Sequence, residues 1–226
     1  LVDAGAGADR YQSYNQSQGF AYAYGLGLLE DAGGADVYSC DIGDPSVGGD
    51  PLYYTPQLPM MGNGSFCQGA GFGRRADFSD FVFMSGGIGV LRDRGTGDDQ
   101  YTASVFGQGT GYWFGTGLFA DEGGNDQYDG KWYVQGSDAH FALAVFWDEA
   151  GDDRYNLGGT VCAAGDPSCV LLPSATSIGV GHDFSVGWHI DGGGSDVYLA
   201  PGLSLGAGNA TGIGILVNLG GNDEYR

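Results

Sequence analysis

The sequence predicts an all-β protein, a parallel β-solenoid of about 27-residue coils with roughly six to seven rungs. Three observations predict this fold. A Gly-Asp-rich motif that ends in Tyr recurs seven times, the recurrences keep a 27-residue spacing, and an alternating apolar segment precedes most copies. We expect residues 1–226 to form a single domain with two insertions, at about 41–66 and about 157–171. Coils of this length bury a continuous core only by stacking on one another.

The repeated motif is an acidic residue (Asn in the last copy), a Gly-rich stretch, Asp, any residue, and Tyr. The closing tyrosines are 27, 63, 27, 27, 43 and 27 residues apart. The two long intervals therefore equal one repeat plus insertions of 36 and 16 residues. The seven copies occupy residues 3–11, 31–38, 93–101, 121–128, 148–155, 191–198 and 218–225.

The segment before six of the motifs alternates apolar with tiny residues, as in FGTGLFAD and TGIGILVN. A period of two predicts a strand with two different faces. We expect the apolar column to be packed and the Gly/Ala column to remain bare, as a second close-packing surface. The apolar pairs are Leu26/Leu28, Ile88/Val90, Thr116/Leu118, Leu143/Val145, Val186/Trp188 and Ile213/Ile215. A recurring Gln-Gly dipeptide at residues 18, 68, 108 and 135 predicts a second corner in each coil.

The four cysteines fall into two local pairs, one in each insertion. Cys40 follows the second motif and Cys67 precedes a Gln-Gly corner, so a Cys40–Cys67 disulfide would close the first insertion at its base. Cys162 and Cys169 flank AAGDPS in the second. Two such disulfides would indicate an oxidising compartment. Four free thiols are the alternative, and the absence of CxxC or HxxxH spacing disfavours zinc.

Two columns of carboxylates follow from the repeat, because equivalent residues of stacked coils lie one strand spacing apart. Like charges at that distance repel by about 1 kcal/mol in water and by more near a protein surface. Hard oxygen ligands in a flexible turn are typical of calcium sites. We therefore predict several Ca²⁺ ions between stacked turns. The alternative is that Asp and Gly serve only as turn formers. The predicted ligands are Asp3, Asp9, Asp31, Asp36, Asp93, Asp99, Asp121, Asp126, Asp148, Asp153, Asp191, Asp196, Asn218 and Asp223.

The turns resemble those of the RTX family, whose nonapeptide G-G-x-G-x-D-x-U-x binds calcium between stacked β-roll turns. Residues 123–128 (GGNDQY) and 220–225 (GGNDEY) match the G-x-D-x-U half, with Tyr as the bulky residue. The resemblance implies Ca²⁺ held by the second Asp and by turn carbonyls. It covers about eight residues of each coil, and RTX nonapeptides run in tandem whereas these turns occur once per coil.

Composition narrows the classes of partner. The net charge is −20, from 28 acidic and 8 basic residues, which disfavours nucleic acid and anionic membranes. The sequence contains no run of 18 apolar residues, so it predicts no membrane-spanning segment. A start at Leu1 and glycosylation patterns at Asn15, Asn63 and Asn209 favour a processed extracellular or cell-surface protein.

The predicted function is that of a non-enzymatic, calcium-rigidified structural protein. We expect self-association, head-to-tail or lateral, into a fibre or surface array, because strand edges template further strands. The alternative is a polysaccharide-binding or polysaccharide-cleaving solenoid that uses the first insertion and exposed aromatics. Its aromatic strip would be Tyr112, Trp113, Phe114, Trp132, Tyr133 and Trp147, and its clustered bases Arg74, Arg75, Arg92 and Arg94. The sequence predicts no catalytic set for His140, His182 or His189.

Overall fold

The computed structural model describes residues 1–40, 64–77, 80–156, 176–200 and 202–226. These residues form short strands and contain no helix, so the all-β prediction is confirmed. None of them therefore supplies a helix that could cross a membrane. The strands are β1 Arg10–Gln12, β2 Ala21–Tyr22, β3 Leu26–Asp31, β4 Val37–Cys40, β5 Gly64–Cys67, β6 Gly71–Phe72, β7 Ile88–Asp93, β8 Gln100–Ala103, β9 Val105–Gly107, β10 Gly111–Tyr112, β11 Thr116–Asp121, β12 Gln127–Asp129, β13 Asp138–Ala139, β14 Leu143–Asp148, β15 Arg154–Tyr155, β16 Gly181–His182, β17 Val186–Asp191, β18 Val197–Tyr198, β19 Gly208–Asn209, β20 Ile213–Asn218 and β21 Glu224–Tyr225.

Three parallel sheets contain nearly all of these strands. The Tyr sheet has the order β1-β4-β8-β12-β15-β18-β21, and the short sheet has the order β19-β16-β13-β10-β6-β2. The long sheet, of six-residue strands, has the order β20-β17-β14-β11-β7-β3. A fourth sheet pairs β5 with β9. Each repeat contributes its strands to the Tyr, short and long sheets in that order, and each strand pairs with its counterpart one repeat away.

The strand register confirms the alignment of the repeats, including the one across the first insertion. Asp31 at the end of β3 pairs with Asp93 at the end of β7, although 62 residues separate them in the sequence. Tyr38 pairs in the same way with Tyr101. The predicted column of closing tyrosines is therefore continuous, and its rings stack with centroids 4.5–5.1 Å apart.

The chain changes direction at each predicted Gln-Gly corner. In the first copy, Gln18 and Gly19 have φ of 50° and 83°, and the other three copies have the same pair of positive angles. The Gln108 side chain secures the corner by donating to the carbonyl oxygens of Tyr101 and Asp129, at 3.3 and 3.1 Å. This side chain thus bridges two successive repeats, because Tyr101 and Asp129 belong to adjacent strands of the Tyr sheet.

The core lies between the sheets and consists mainly of stacked aromatic rings. Beside the tyrosines, Phe119, Phe146 and His189 form a second stack with 4.7 Å between successive centroids. Phe66, Phe106 and Tyr133 form a third stack near the short sheet, at 4.9 Å. Stacked rings at this spacing bury large apolar areas in a narrow interior.

The expectation for the two columns of the long strands is wrong. The Gly/Ala column faces the interior, and the apolar column faces outward. A Cβ added at Gly117 would lie 2.2 Å from the Thr110 oxygen, and one at Gly89 would lie 2.2 Å from the Ala70 oxygen. The opposite chain thus approaches so closely that most side chains cannot fit. Leu26 and Ile213, in contrast, are 76% and 56% exposed.

The Cys40–Cys67 disulfide is present and joins the ends of β4 and β5. The predicted first insertion extends about three residues too far at its C-terminal end, because residues 64–66 belong to β5, which pairs with β9. Most of that insertion, and the whole of the second with Cys162 and Cys169, lie outside the described residues. Asn63 lies outside them as well.

Candidate metal-binding site

The two carboxylate columns lie at the turn between the long sheet and the Tyr sheet. From the second motif to the sixth, the first Asp is the last residue of a long strand, where the alternation of the strand directs its side chain inward. The second Asp directly precedes the strand that carries the closing Tyr. From the second repeat to the sixth, both carboxylates are at most 2% exposed. The turn therefore buries acidic groups in a chain that has few basic ones.

The first Asp caps its own turn and accepts a hydroxyl from the preceding repeat. Asp121 Oδ1 accepts the Gly123 N–H at 2.9 Å, and its Oδ2 accepts the Tyr101 hydroxyl at 2.6 Å. The same pair of contacts recurs at Asp93, where the donor hydroxyl is that of Tyr38 at 2.7 Å. The first five closing tyrosines, from Tyr11 to Tyr155, thus connect their own repeat to the first Asp of the next.

The second Asp forms a ladder of bonds between repeats. The Asp99 N–H donates to Asp126 Oδ1 at 2.6 Å, and the Asp126 N–H donates to Asp153 Oδ1 at 2.7 Å. The ladder starts at Asp9, whose N–H donates to Asp36. It ends with Asp196 donating to Asp223 at 3.1 Å. One carboxylate oxygen of every second Asp except the first is occupied in this way.

The other oxygen of several of these groups is buried without a donor. Oδ2 of Asp36, Asp153 and Asp196 has no hydrogen-bond partner among the described residues. A buried carboxylate oxygen without a partner costs several kcal/mol unless the charge is neutralised. A proton or a cation at these oxygens would remove that cost.

Burial raises the pKa of several of the turn carboxyl groups, and neighbouring carboxylates raise it further. The pKa of Asp99 and of Asp148 is raised to about 8, and that of Asp126 to about 7. The pKa of Asp121 also lies well above its ordinary value. Opposing contributions come from the N–H and hydroxyl donors, which favour the charged form. The raised pKa values of Asp99 and Asp148 favour the protonated form of these two groups at neutral pH.

The structure brings twelve of the fourteen predicted ligands together in sets of three. In each set, one oxygen from each carboxylate lies within 4.8 Å of the others. Asp31, Asp126 and Asp153 each belong to two sets, so the sets form linked runs along the turns. The sets are Asp3/Asp9/Asp31, Asp31/Asp36/Asp93, Asp99/Asp121/Asp126, Asp126/Asp148/Asp153 and Asp153/Asp191/Asp196.

Asn218 and Asp223, in the last repeat, are in none of these sets. Asp223 accepts the ladder bond from Asp196. Asn218 has an amide where the other repeats have a carboxylate, so its Nδ2 donates to the hydroxyls of Tyr198 and Tyr225. The Tyr198 hydroxyl then donates to Asp191 of its own repeat, at 2.6 Å.

The tyrosine hydroxyls are site groups that the sequence reasoning missed. It treated the closing Tyr only as the bulky residue of the turn. A signal was present, because all seven copies end in Tyr and none in Phe, although the chain has 14 Tyr and 12 Phe. Packing alone does not distinguish the two rings, so the constant hydroxyl indicates a polar partner.

The aromatic strip of the polysaccharide alternative does not form one surface. Tyr112 and Tyr133 are core residues, at 2% and 8% exposure. Phe114 is exposed but stacks against Phe141 at 4.9 Å with nearly parallel rings, so that neighbour occupies the ring face a sugar would use. Trp147 lies on the long sheet, apart from the others.

The clustered bases are paired with nearby acids. Arg74 contacts Asp80 at 2.7 Å, and Arg75 contacts Asp77 at 2.5 Å. Arg92 and Arg94 pair with glutamates on neighbouring repeats, Glu122 and Glu30.

Comparison with protein-family models, curated proteins and solved structures gives no match for this chain.

Proposed function

We propose that this chain is a secreted, calcium-binding structural protein whose parallel sheets form a β-solenoid with one rung per repeat. The observation that carries the proposal is the run of buried carboxylate triads, the sets of three described above, between successive repeats. Several of their oxygens accept no hydrogen bond. Seven strands in the Tyr sheet support seven rungs.

A cation is the species that best satisfies these triads. None of the ion pairs found among the described residues involves a triad Asp, because the few basic residues pair with acids elsewhere. The tyrosine hydroxyls and turn N–H groups supply hydrogen bonds but no positive charge. A divalent ion shared by three carboxylates offsets both the repulsion and the loss of hydration.

Calcium suits the donor set better than magnesium does. Three oxygens that are all within 4.8 Å of one another can be reached at once by an ion about 2.4–2.8 Å from each, which is close to the usual Ca–O distance. Magnesium prefers a strict octahedron at about 2.1 Å and retains its water. A Gly-rich turn adjusts more readily to the irregular shell of calcium.

Adjacent residues of one turn provide a matched test of the proposal. Asp99 belongs to a triad, whereas Asp98 is exposed and accepts the Asn125 N–H at 2.9 Å. Asp99→Asn retains an oxygen for the ladder bond from Asp36 but removes a charge and a ligand. Asp98→Asn makes the same change in charge on the surface.

We expect calorimetric titration of the metal-free protein to show several Ca²⁺ ions per chain. Asp99→Asn should lose about one ion and part of the calcium-induced rise in Tm, whereas Asp98→Asn should bind as the wild type does. Terbium in place of calcium should luminesce on excitation of the buried tyrosines. An equal Tm in calcium and in EDTA, or equal losses in both variants, would refute the proposal.

The location and the structural role are proposed on separate grounds. The Cys40–Cys67 disulfide supports folding in an oxidising compartment, because such bonds are rare in reducing ones. Regular rungs held by internal ions would give a stiff body, which suits a structural role. Head-to-tail assembly remains a prediction from the sequence.

A further inference from the structure

The outward face of the long sheet is a mostly apolar surface that the proposed function does not use. The outward residues of β11, β14, β17 and β20 include no charged side chain. Two of the six long strands carry a charge there, Glu30 and Arg92. The outward residues of the four uncharged strands are Thr116, Leu118, Ala120, Leu143, Val145, Trp147, Val186, Trp188, Ile190, Ile213, Ile215 and Val217.

This surface is apolar, although the chain as a whole carries a net charge of −20. Single exposed apolar residues are common, but contiguous apolar patches of several hundred Å² usually mark contact surfaces. The interior cannot accept these side chains, because the opposite backbone leaves room only for Gly or Ala at one inward position of each long strand, and large residues such as Leu91 and Phe119 already fill the next. The alternation of the strand therefore forces the bulky residues to the outside.

We propose that this face binds the same face of a second copy of the chain, so that two long sheets pack against each other. Six strands about 4.8 Å apart and six residues long cover on the order of 500 Å². Two copies would bury about 1,000 Å² in total, which meets the lower bound for a specific interface.

The regular geometry of the face favours a second copy over an unrelated partner. Its side chains form rows with the strand spacing in one direction and the two-residue repeat in the other. Another sheet with the same two spacings interdigitates with these rows, as in face-to-face sheet packing at about 10 Å. A two-fold axis through the face supplies such a sheet. With almost no charge, the face offers nothing that would select a charged ligand.

The test measures the mass in solution of the full chain at micromolar concentrations. We expect the wild type to sediment as a dimer of two 23.4 kDa chains, in calcium and in EDTA alike wherever the chain stays folded. Leu143→Glu with Ile213→Glu should give a monomer. Val82→Glu with Leu219→Glu makes the same charge change at positions 54% and 67% exposed off the face, and it should remain a dimer.

A second variant separates loss of contact from loss of fold. Trp147→Gln removes one exposed ring without adding charge, and we expect it to weaken the dimer by tenfold or more while the circular dichroism spectrum stays unchanged. A monomeric wild type at these concentrations would overturn the proposal. A dimer that survives the Leu143/Ile213 double substitution would also overturn it. Neither result would bear on calcium binding, because the triads lie on the other side of the long strands.

Discussion

Equivalent residues of successive repeats stack in columns. A residue that differs in type from the rest of its column therefore shows what that position requires. Phe119 and Phe146 are followed in their stack by His189, whose ring lies 4.7 Å from Phe146 and is fully buried. His189 Nδ1 donates to the Gln135 carbonyl at 3.3 Å, and its Nε2 has no partner among the described residues. Burial lowers the pKa of this imidazole to about 3.

His189→Phe should stabilise the protein, because it extends the aromatic stack and removes a buried atom without a partner. We expect a gain of about 1 kcal/mol in the free energy of unfolding. The gain should be larger at pH 5 than at pH 7.5. The folded pKa is lowered, so the wild type loses stability as pH falls below the unfolded value of about 6.5. Urea denaturation at both pH values measures the difference.

His182→Phe serves as the control for this substitution. The His182 ring contacts the Asn209 amide oxygen and is only partly buried, so a phenyl ring there loses a hydrogen bond and gains no stack. An equal gain in both variants, or a gain at His189 that does not change with pH, would contradict the account of the stack.

At the scale of elements, the turn between the long and Tyr sheets determines how closely the repeats approach. The Gly two residues before each second Asp lies against the carbonyl of its counterpart one repeat earlier. A Cβ on Gly124 would be 1.8 Å from the Gly97 oxygen, and one on Gly151 would be 1.5 Å from the Gly124 oxygen. Gly124 also has φ of 153°. The turn therefore needs glycine both for its conformation and for the contact between repeats.

Gly124→Ala should destabilise the protein by at least about 2 kcal/mol, because the backbone of two repeats has to separate and the ladder bond at Asp126 lengthens. Gly220→Ala is the matched control, since a Cβ there meets nothing within 4 Å. Guanidinium denaturation compares the two. Equal stability of the variants would show that the stacked turns are not in close contact.

The connection between β6 and β7, after the second Gln-Gly corner, contains inserted residues that lie outside the predicted insertions. Gln108 to Tyr128 takes 20 residues, whereas Gln68 to Tyr101 takes 33, so 13 of the 36 extra residues lie after β6 and not in the first insertion. Arg74 and Met84 pair there in an antiparallel bridge. The long sheet continues past this excursion without a change of register.

On the scale of the whole molecule, burial of the acidic columns makes stability depend on pH. The raised pKa values are about 6 at Asp36, 7 at Asp196 and 10 at Asp153, in addition to those of Asp99, Asp126 and Asp148. Each raised value means that the folded state holds a proton which the unfolded state releases above about pH 4. The calcium ions that we propose for these sites would compete with these protons for the same oxygens.

In EDTA, we expect Tm to fall as pH rises from 5 to 8. The stability that a raised carboxyl pKa contributes is present below the unfolded pKa and is lost as pH passes through the folded values. His189 and His140, whose pKa values are lowered by burial, act in the opposite direction below pH 6.5, but the carboxyl groups with raised pKa values outnumber them. In excess calcium, Tm should instead rise over this range, because deprotonated ligands bind the ion. Scanning calorimetry in both conditions tests this.

Parallel curves in calcium and EDTA would contradict the link between the ions and the buried carboxyl groups. A metal-free Tm that rises from pH 5 to pH 8 would show that the carboxyl groups stay ionised inside the protein. Asp98→Asn should leave both curves unchanged, because that carboxylate is on the surface.

The sequence by itself determined the repeat, the strand register and the members of both carboxylate columns. These follow from periodicity, since residues 27 apart must occupy equivalent places if the coils stack. It also determined the pairing of Cys40 with Cys67, because both flank one insertion. The net charge of −20 predicts that anionic partners bind poorly, which stays a prediction.

Only the tertiary structure decided which face of the long strands is inside. Period-two alternation is symmetric between the faces, and the usual rule that large apolar residues are buried fails here. The interior at that level is too narrow for anything beyond Gly or Ala, so Leu26 and Ile213 stand outside. The tyrosine hydroxyls that reach the next repeat's Asp also needed coordinates, because a contact across repeats depends on the distance and direction between side chains and not on their spacing in the chain.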